Sequence, residues 1–140
     1  MTRDDNKLVA RRYFEQILNA GDFSVAETLL ASDFVFRNPP ILTRGIDDFK
    51  TAIDGVRAAF PDLHFTRHDE IAEADKVVIR WTVAGIQRGE FFGHPPSGRS
   101  IDVTGINIFR IVDGKIQEIW VNMDRLGEAE QLGWMEPSSA

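Results

Sequence analysis

The sequence contains no cysteine, so it offers no disulfide framework, no thiolate metal ligand and no cysteine nucleophile. No apolar run approaches the roughly 20 residues that a membrane-spanning helix needs. The first residues also lack the apolar stretch of a signal peptide. We therefore expect a cytoplasmic protein without a membrane partner.

Positive charge is also scarce, with 16 lysines and arginines against 22 acidic residues and a net charge of −6. Because phosphate binding needs clustered basic side chains, this balance predicts no nucleic-acid partner. The motifs of phosphate-binding loops, dinucleotide-binding folds and serine hydrolases are missing, and nothing in the sequence indicates a metal or a cofactor. The length and the 43% hydrophobic content predict one globular domain over 1–135, with a disordered tail over 136–140.

The first half of the chain has the apolar spacing of helices. The predicted elements are a helix over 4–20, a short helix from Ser24, a strand over 33–36 and a helix over 45–60. Ser24 and Glu27 have the spacing of a capping box, in which each side chain accepts a hydrogen bond from a free backbone N–H. Pro61 ends the third helix, because the residue before proline is disfavoured in the α conformation.

After Pro61 the apolar period changes to two, which is typical of strands. The predicted strands cover 63–73, 76–87, 100–110 and 115–123, with turns at Asp75 and at Asp113-Gly114 and a long loop over 89–99. Helices followed by a meander of strands predict an α+β fold, with the helices on one face of a bent sheet. A pocket can form between such a sheet and its helices.

Strand alternation places polar residues on otherwise apolar faces. The polar and aromatic members of these faces are Trp81 and Gln87, Asn107 and Phe109, and Trp120 and Asn122, with Asp124 next in phase. A buried polar side chain costs roughly 1–3 kcal/mol unless it is hydrogen-bonded. One interpretation is a pocket for a small, largely apolar ligand; the other is satisfied core amides and packed tryptophans. Asn38 and His94, both in proline-rich loops, complete the candidate ligand-binding residues. A surface histidine is the default interpretation of His94, and a place at the mouth of the pocket is the alternative.

Several segments resemble the SnoaL-like polyketide (ester) cyclases. They are AAFPDL (58–63), DKVVIRW (75–81), GEFFGHPPSGR (89–99), NIFRIVDGKI (107–116), EIWVNMDRLG (118–127) and QLG (131–133). The resemblance extends from about Leu8 to Gly133 and implies a cone-shaped α+β fold. In that fold three helices from the N-terminal half pack on the concave face of a curved antiparallel or mixed sheet. Nuclear transport factor two, ketosteroid isomerases and limonene epoxide hydrolases share the fold.

The resemblance implies intramolecular aldol ring closure of a small hydrophobic, polyketide-like substrate, without a cofactor. In the family, an aspartate near the end of the last strand acts as acid and base. One register puts that residue at Val121, which cannot transfer a proton, and the other puts it at Asp124. We take Asp124 as the candidate catalytic residue, while Asp124 is equally suited to cap a helix starting at Arg125.

The sequence departs from the family where histidines are frequent, since Arg37, Gln87 and Ile119 occupy those positions. These departures keep three functions open. The chain is a cyclase-type enzyme or an isomerase or epoxide hydrolase on the same fold, a non-catalytic small-molecule-binding domain, or an assembly module with an incidental cavity. Val78, Thr82, Ile106 and Ile108 lie opposite the Trp81 face, and this apolar outer face predicts a homodimer.

Overall fold

The computed structural model describes residues 2–136 and begins with helix α1, Arg3–Arg12. Thr2 and Asp5 form a capping box, in which the Thr2 hydroxyl accepts from the Asp5 N–H at 3.0 Å and Asp5 accepts from the Thr2 N–H. The helix continues as a π-helical segment, Tyr13–Asn19, whose Tyr13, Phe14, Ile17 and Leu18 are buried. The predicted first helix is therefore present, but its second half is π-helical.

The second helix differs from the prediction at its start. A 3₁₀ turn, Phe23–Val25, leads into the short helix α2, Ala26–Leu29. Asp22 caps the turn, because its carboxylate accepts from the Ser24 N–H at 2.9 Å. The capping box predicted at Ser24 is wrong, since Ser24 lies inside the turn and its hydroxyl donates to Asp22.

Helix α3, Ile46–Ala59, ends before Pro61 as predicted. The strands are β1 (Leu30–Asn38), β2 (Ile41–Arg44), β3 (His64–Glu73), β4 (Lys76–Ile86), β5 (Ser100–Val112) and β6 (Lys115–Met123). They form one mixed sheet in the order β2-β1-β6-β5-β4-β3, in which only the β1–β6 pair is parallel. The α+β fold is thus confirmed, and β2 is a strand that the sequence pattern did not indicate.

The core lies between one face of this sheet and the helices. Val77, Ile79, Trp81 and Val83 of β4 are buried there, together with alternate residues of β5. A last helix, α4 (Arg125–Gln131), follows β6 and joins the start of β5. The Gln131 amide accepts from the Asp102 N–H at 2.7 Å and donates to the Asp102 carbonyl at 3.1 Å.

The phase of β6 is opposite to the predicted one. A β-bulge lies where the pairing shifts from Ile111–Ile116 to Arg110–Glu118, so alternation is interrupted after Ile116. Beyond the bulge, Ile119 and Val121 are buried on the core side. Trp120 and Asn122 pair with Ile108 and Ile106 on the outer face, and their predicted place in the pocket wall is wrong.

Within residues 2–136, no helix is both long enough and apolar enough to cross a membrane. The disordered tail predicted for 136–140 lies, from Pro137 onward, outside the described residues.

Candidate functional site

A cavity of about 80 Å³ lies between the sheet and the helices. Its wall is mostly aliphatic and aromatic, and its polar side chains are those of Tyr13, Asn38, Trp81, Asn107, Arg125 and Glu128. Pockets for drug-sized ligands hold about 300–1,000 Å³. The cavity in this conformation therefore fits a compact molecule, and a larger one requires the wall to move.

Trp81 and Asn107 form a hydrogen-bonded pair on the sheet side of the cavity. The Trp81 Nε1–H donates to the Asn107 Oδ1 at 2.9 Å, and the two residues are 2% exposed. Because an indole N–H can only donate, this bond fixes which end of the amide faces Trp81. Among the described residues the Asn107 Nδ2 has no acceptor, although the side chain lines the cavity. It is therefore available to donate to a ligand oxygen.

Gly105 makes this arrangement possible. A Cβ atom there would lie 2.2 Å from the Trp81 ring, so the ring fits only over a residue without a side chain. Gly105 pairs with Trp81 across β5 and β4, two positions before Asn107.

Arg125 organises the other polar end of the cavity. Its guanidinium donates to the Glu128 Oε1 at 3.0 Å, to the Asn38 Oδ1 at 3.1 Å and to the Pro39 carbonyl at 3.3 Å. It also lies 5.5 Å from the centre of the Phe92 ring. The first residue of α4 is thus connected to the end of β1 and to the 87–99 loop.

Glu128 brings a carboxylate to the cavity wall from α4. The residue is 3% exposed, and burial raises the pKa of its carboxyl even though Arg125 beside it acts in the opposite direction. Sequence reasoning missed both Arg125 and Glu128. Two features could have indicated them. Arg125 and Glu128 have the i,i+3 spacing of an ion pair on a helix, and Leu132, four residues after Glu128 on the same side of that helix, is also buried.

Asp124 is the N-cap of α4 and lies outside the cavity. Its carboxylate accepts from the Gly127 N–H at 2.8 Å, and the side chain is exposed at the outer edge of the sheet. The helix-cap alternative is confirmed, and the expectation that strand phase carries Asp124 into the pocket is wrong. The reason is the β6 bulge, which places Val121 on the cavity wall instead.

Gln87 and His94 organise the 87–99 loop and do not line the cavity. The fully buried Gln87 amide donates to the carbonyls of Gly89 and Pro95 at 3.1 and 3.2 Å, and it accepts from the Ser97 hydroxyl at 2.7 Å. The satisfied core amide is therefore the correct interpretation of Gln87. His94 is exposed, and its ring stacks on the Trp134 ring with ring centres 4.1 Å apart. Its predicted place at the mouth of the pocket is therefore wrong.

Phe109 also does not reach the cavity. Its ring is fully buried and packs against Tyr13 and Phe14, with ring centres 5.3 and 6.0 Å apart. Its predicted role in the pocket wall is wrong, because the aromatic residues of the first helical segment cover that part of β5. Of the nine predicted site residues, the cavity thus brings together Asn38, Trp81 and Asn107.

One side of the cavity is closed by the 87–99 loop. Phe91 lines the cavity and packs on Phe60 and Trp134, with ring centres 5.0 and 5.8 Å apart. This wall is carried by a loop, and Trp134 of the segment after α4 supports it from behind through Phe91.

The chain is similar to known proteins in both sequence and structure. The sequence model of the SnoaL-like polyketide cyclases matches residues 8–132. TsrD from Streptomyces laurentii is 33% identical with a TM-score of 0.87, over 96% of this chain and 99% of that one. IdmH from Streptomyces antibioticus, a candidate polyketide cyclase, is 28% identical with a TM-score of 0.76, over 91% of this chain and 98% of that one. AclR from Streptomyces galilaeus, a candidate hydroxylase, is 26% identical with a TM-score of 0.85, over 98% of this chain and 86% of that one. No curated protein sequence gave a significant match.

Proposed function

The chain belongs to the SnoaL-like polyketide cyclase family, and from this membership we propose that it is a cofactor-free, cyclase-type enzyme. It binds a small, largely apolar carbonyl compound in the inner cavity and processes it by acid/base chemistry, such as intramolecular aldol ring closure. The apolar wall holds the molecule in a folded shape, which brings its reacting carbons together.

The observation that carries this proposal is the Asn107 amide. Trp81 holds its oxygen, and no described residue accepts from its Nδ2–H₂ group, so this group can donate to a molecule in the cavity that Asn107 lines. A fixed donor in an apolar site stabilises negative charge that develops on a carbonyl oxygen when a neighbouring carbon loses a proton. A carbonyl substrate therefore fits this wall better than a hydrocarbon.

Binding of a matched pair of probes tests the proposal. Acetophenone and ethylbenzene have the same skeleton, but only acetophenone has an oxygen that can accept from Asn107. We expect the protein to bind acetophenone about two- to tenfold more tightly, the value of one net hydrogen bond, as measured by quenching of tryptophan fluorescence. Asn107→Leu should abolish this preference, while the control Asn122→Leu on the outer face should keep it. Equal affinities in the unaltered protein, or an intact preference in Asn107→Leu, would contradict the proposal.

A non-catalytic binding domain is the second candidate. It is favoured by Val121, which occupies the cavity wall at one of the two family positions for the acid/base aspartate, and by the exposure of Asp124. Isomerase-type or epoxide-hydrolase-type chemistry would use the same cavity and donor. Measuring proton exchange on a bound ketone separates binding alone from acid/base chemistry.

We also propose that two copies associate through the outer face of the sheet. Ile106 and Ile108 are exposed there to 44% and 36%, and Trp120 lies beside them. The helices cover the opposite face, so a second copy is the partner that buries these side chains without exposing another apolar surface.

A further inference from the structure

The position of Glu128 follows from the way α4 is held at both ends. Asp124 caps its first turn, and Gln131 bonds to the backbone of Asp102 at the start of β5. Leu132, four residues after Glu128, is buried against the core. With the helix fixed in this rotation, the Glu128 side chain extends into the cavity wall.

The two oxygens of the Glu128 carboxylate have different surroundings. Oε1 accepts from Arg125 at 3.0 Å, whereas no residue within 2–136 donates to Oε2. The side chain is 4% exposed, and the carboxylate is the only one on the cavity wall among the described residues. A nearly buried carboxylate with one unpaired oxygen is suited to take a proton from a molecule in the cavity.

Burial also makes this carboxylate a stronger base than an exposed glutamate. Loss of hydration raises its pKa, and nearby Asp124 acts in the same direction, while the Arg125 charge opposes the shift. Arg125 at the same time keeps the side chain oriented through its bonds to Asn38 and Glu128. A base with a raised pKa and a fixed position is what proton abstraction next to a carbonyl requires.

We propose that Glu128 is the proton-transfer group of the cavity. It acts from α4, whereas the position on strand β6 that faces the cavity is occupied by Val121, which cannot transfer a proton. This inference rests on the proposed function. The Glu128 carboxylate takes a proton from the carbon next to the carbonyl group and becomes a neutral acid. The electron pair of that C–H bond forms the enolate, whose oxygen accepts from the Asn107 Nδ2. In an aldol closure the enolate carbon then bonds to a second carbonyl carbon of the same molecule, and Glu128 returns its proton to the new alkoxide.

Hydrogen–deuterium exchange tests this assignment without knowledge of the natural substrate. Acetophenone is incubated with the protein in D₂O, and the loss of its methyl proton signal is followed by NMR. We expect Glu128→Gln to slow the protein-dependent exchange by about 10²–10⁴-fold, while acetophenone still binds. Asp124→Asn is the matched control, because asparagine caps a helix about as well as aspartate, and it should exchange at the unaltered rate.

The outcomes separate this inference from the proposed function. Unchanged exchange in Glu128→Gln, or a comparable loss in Asp124→Asn, would overturn the role of Glu128 and leave the proposed function standing. Failure of the unaltered protein to bind acetophenone, or binding without exchange, would instead contradict the proposed function itself. If Glu128→Gln does not fold, Glu128→Asp replaces it. That variant withdraws the carboxylate by one methylene, so slower exchange at retained affinity supports the role, and an unchanged rate refutes it.

Discussion

Glu128 and Asp124 are one helical turn apart, yet only Glu128 is removed from water. Asp124 accepts a backbone hydrogen bond at the solvent-exposed start of α4, whereas Glu128 lies in the cavity wall. The difference shows how a helix cap and a buried carboxylate can follow each other in one short segment. It also makes the two residues a natural pair for comparison, because both are acidic, Asp124 is exposed and Glu128 is buried.

The raised pKa of Glu128 predicts how the stability of the protein depends on pH. The native state holds the Glu128 proton more tightly than the unfolded state does, so this residue's contribution to stability is complete at low pH. It is lost as the pH rises from the unfolded pKa through the folded one. Glutamine has no such titration. We therefore expect the melting temperature of Glu128→Gln, relative to the unaltered protein, to increase between pH 4 and pH 7.

Thermal unfolding of the two proteins in parallel measures this difference, and the titration of all other groups cancels in the comparison. A difference that stays constant over this range would mean that the Glu128 carboxyl has the same pKa in the native and unfolded states. A difference that decreases would mean that Arg125 outweighs the cost of burial.

At the scale of the element, the 87–99 loop is held by a buried side chain as well as by backbone hydrogen bonds. The Gln87 amide bonds to Gly89, Pro95 and Ser97 inside the loop, in addition to the backbone hydrogen bonds that the Gln87 main chain makes with Gly98 and Arg99. Phe91, which closes the cavity, is carried by this loop. The integrity of the cavity wall therefore depends on an amide that does not contact the cavity.

We predict that Gln87→Leu destabilises the protein by about 1–3 kcal/mol for each polar group left unpaired. Urea denaturation of the variant measures this loss. Gln117→Leu is the matched control, because the Gln117 amide donates to Asp33 at an exposed site, where a substitution changes stability by about 0.5 kcal/mol or less. If the two variants lose the same stability, the loop bonds of Gln87 add nothing beyond a surface contact.

At the scale of the whole molecule, the two faces of the sheet have different roles. One face, with the helices, encloses the core and the cavity, and the other presents Ile106, Ile108 and Trp120. Arg80 and Asp69 form an ion pair on exposed parts of β4 and β3, so charged residues accompany the apolar centre. An apolar centre with a charged surround is the usual composition of an interface.

We predict that the protein sediments as a dimer, with twice the monomer mass of 15.8 kDa, at micromolar concentration. Ile106→Glu should convert it to a monomer, because two buried carboxylates would face each other across a two-fold axis. Leu42→Glu, at an exposed leucine on β2, should remain dimeric. A monomeric unaltered protein would refute association through this face, and a monomeric Leu42→Glu would move the interface to β2.

Local pattern alone was enough for the order of most helices and strands, although it missed β2, and for the faces of β4 and β5. The change of period after Pro61, the turn at Asp113-Gly114 and the alternation around Trp81 and Asn107 are properties of neighbouring residues. These signals depend on the spacing of apolar side chains and on backbone conformation, which act within a few residues. They were sufficient to predict that Trp81 and Asn107 share one buried face.

Tertiary structure decided the face of β6 and the identity of the carboxylate in the cavity. A bulge depends on how β6 registers with β5, and the parallel β1–β6 pair joins segments some 80 residues apart, so neither is encoded in local alternation. The same bulge turned Trp120 and Asn122 outward and Val121 inward. Glu128 reached the cavity because α4 docks on β5 through Gln131, a contact between residues that the sequence holds 29 positions apart.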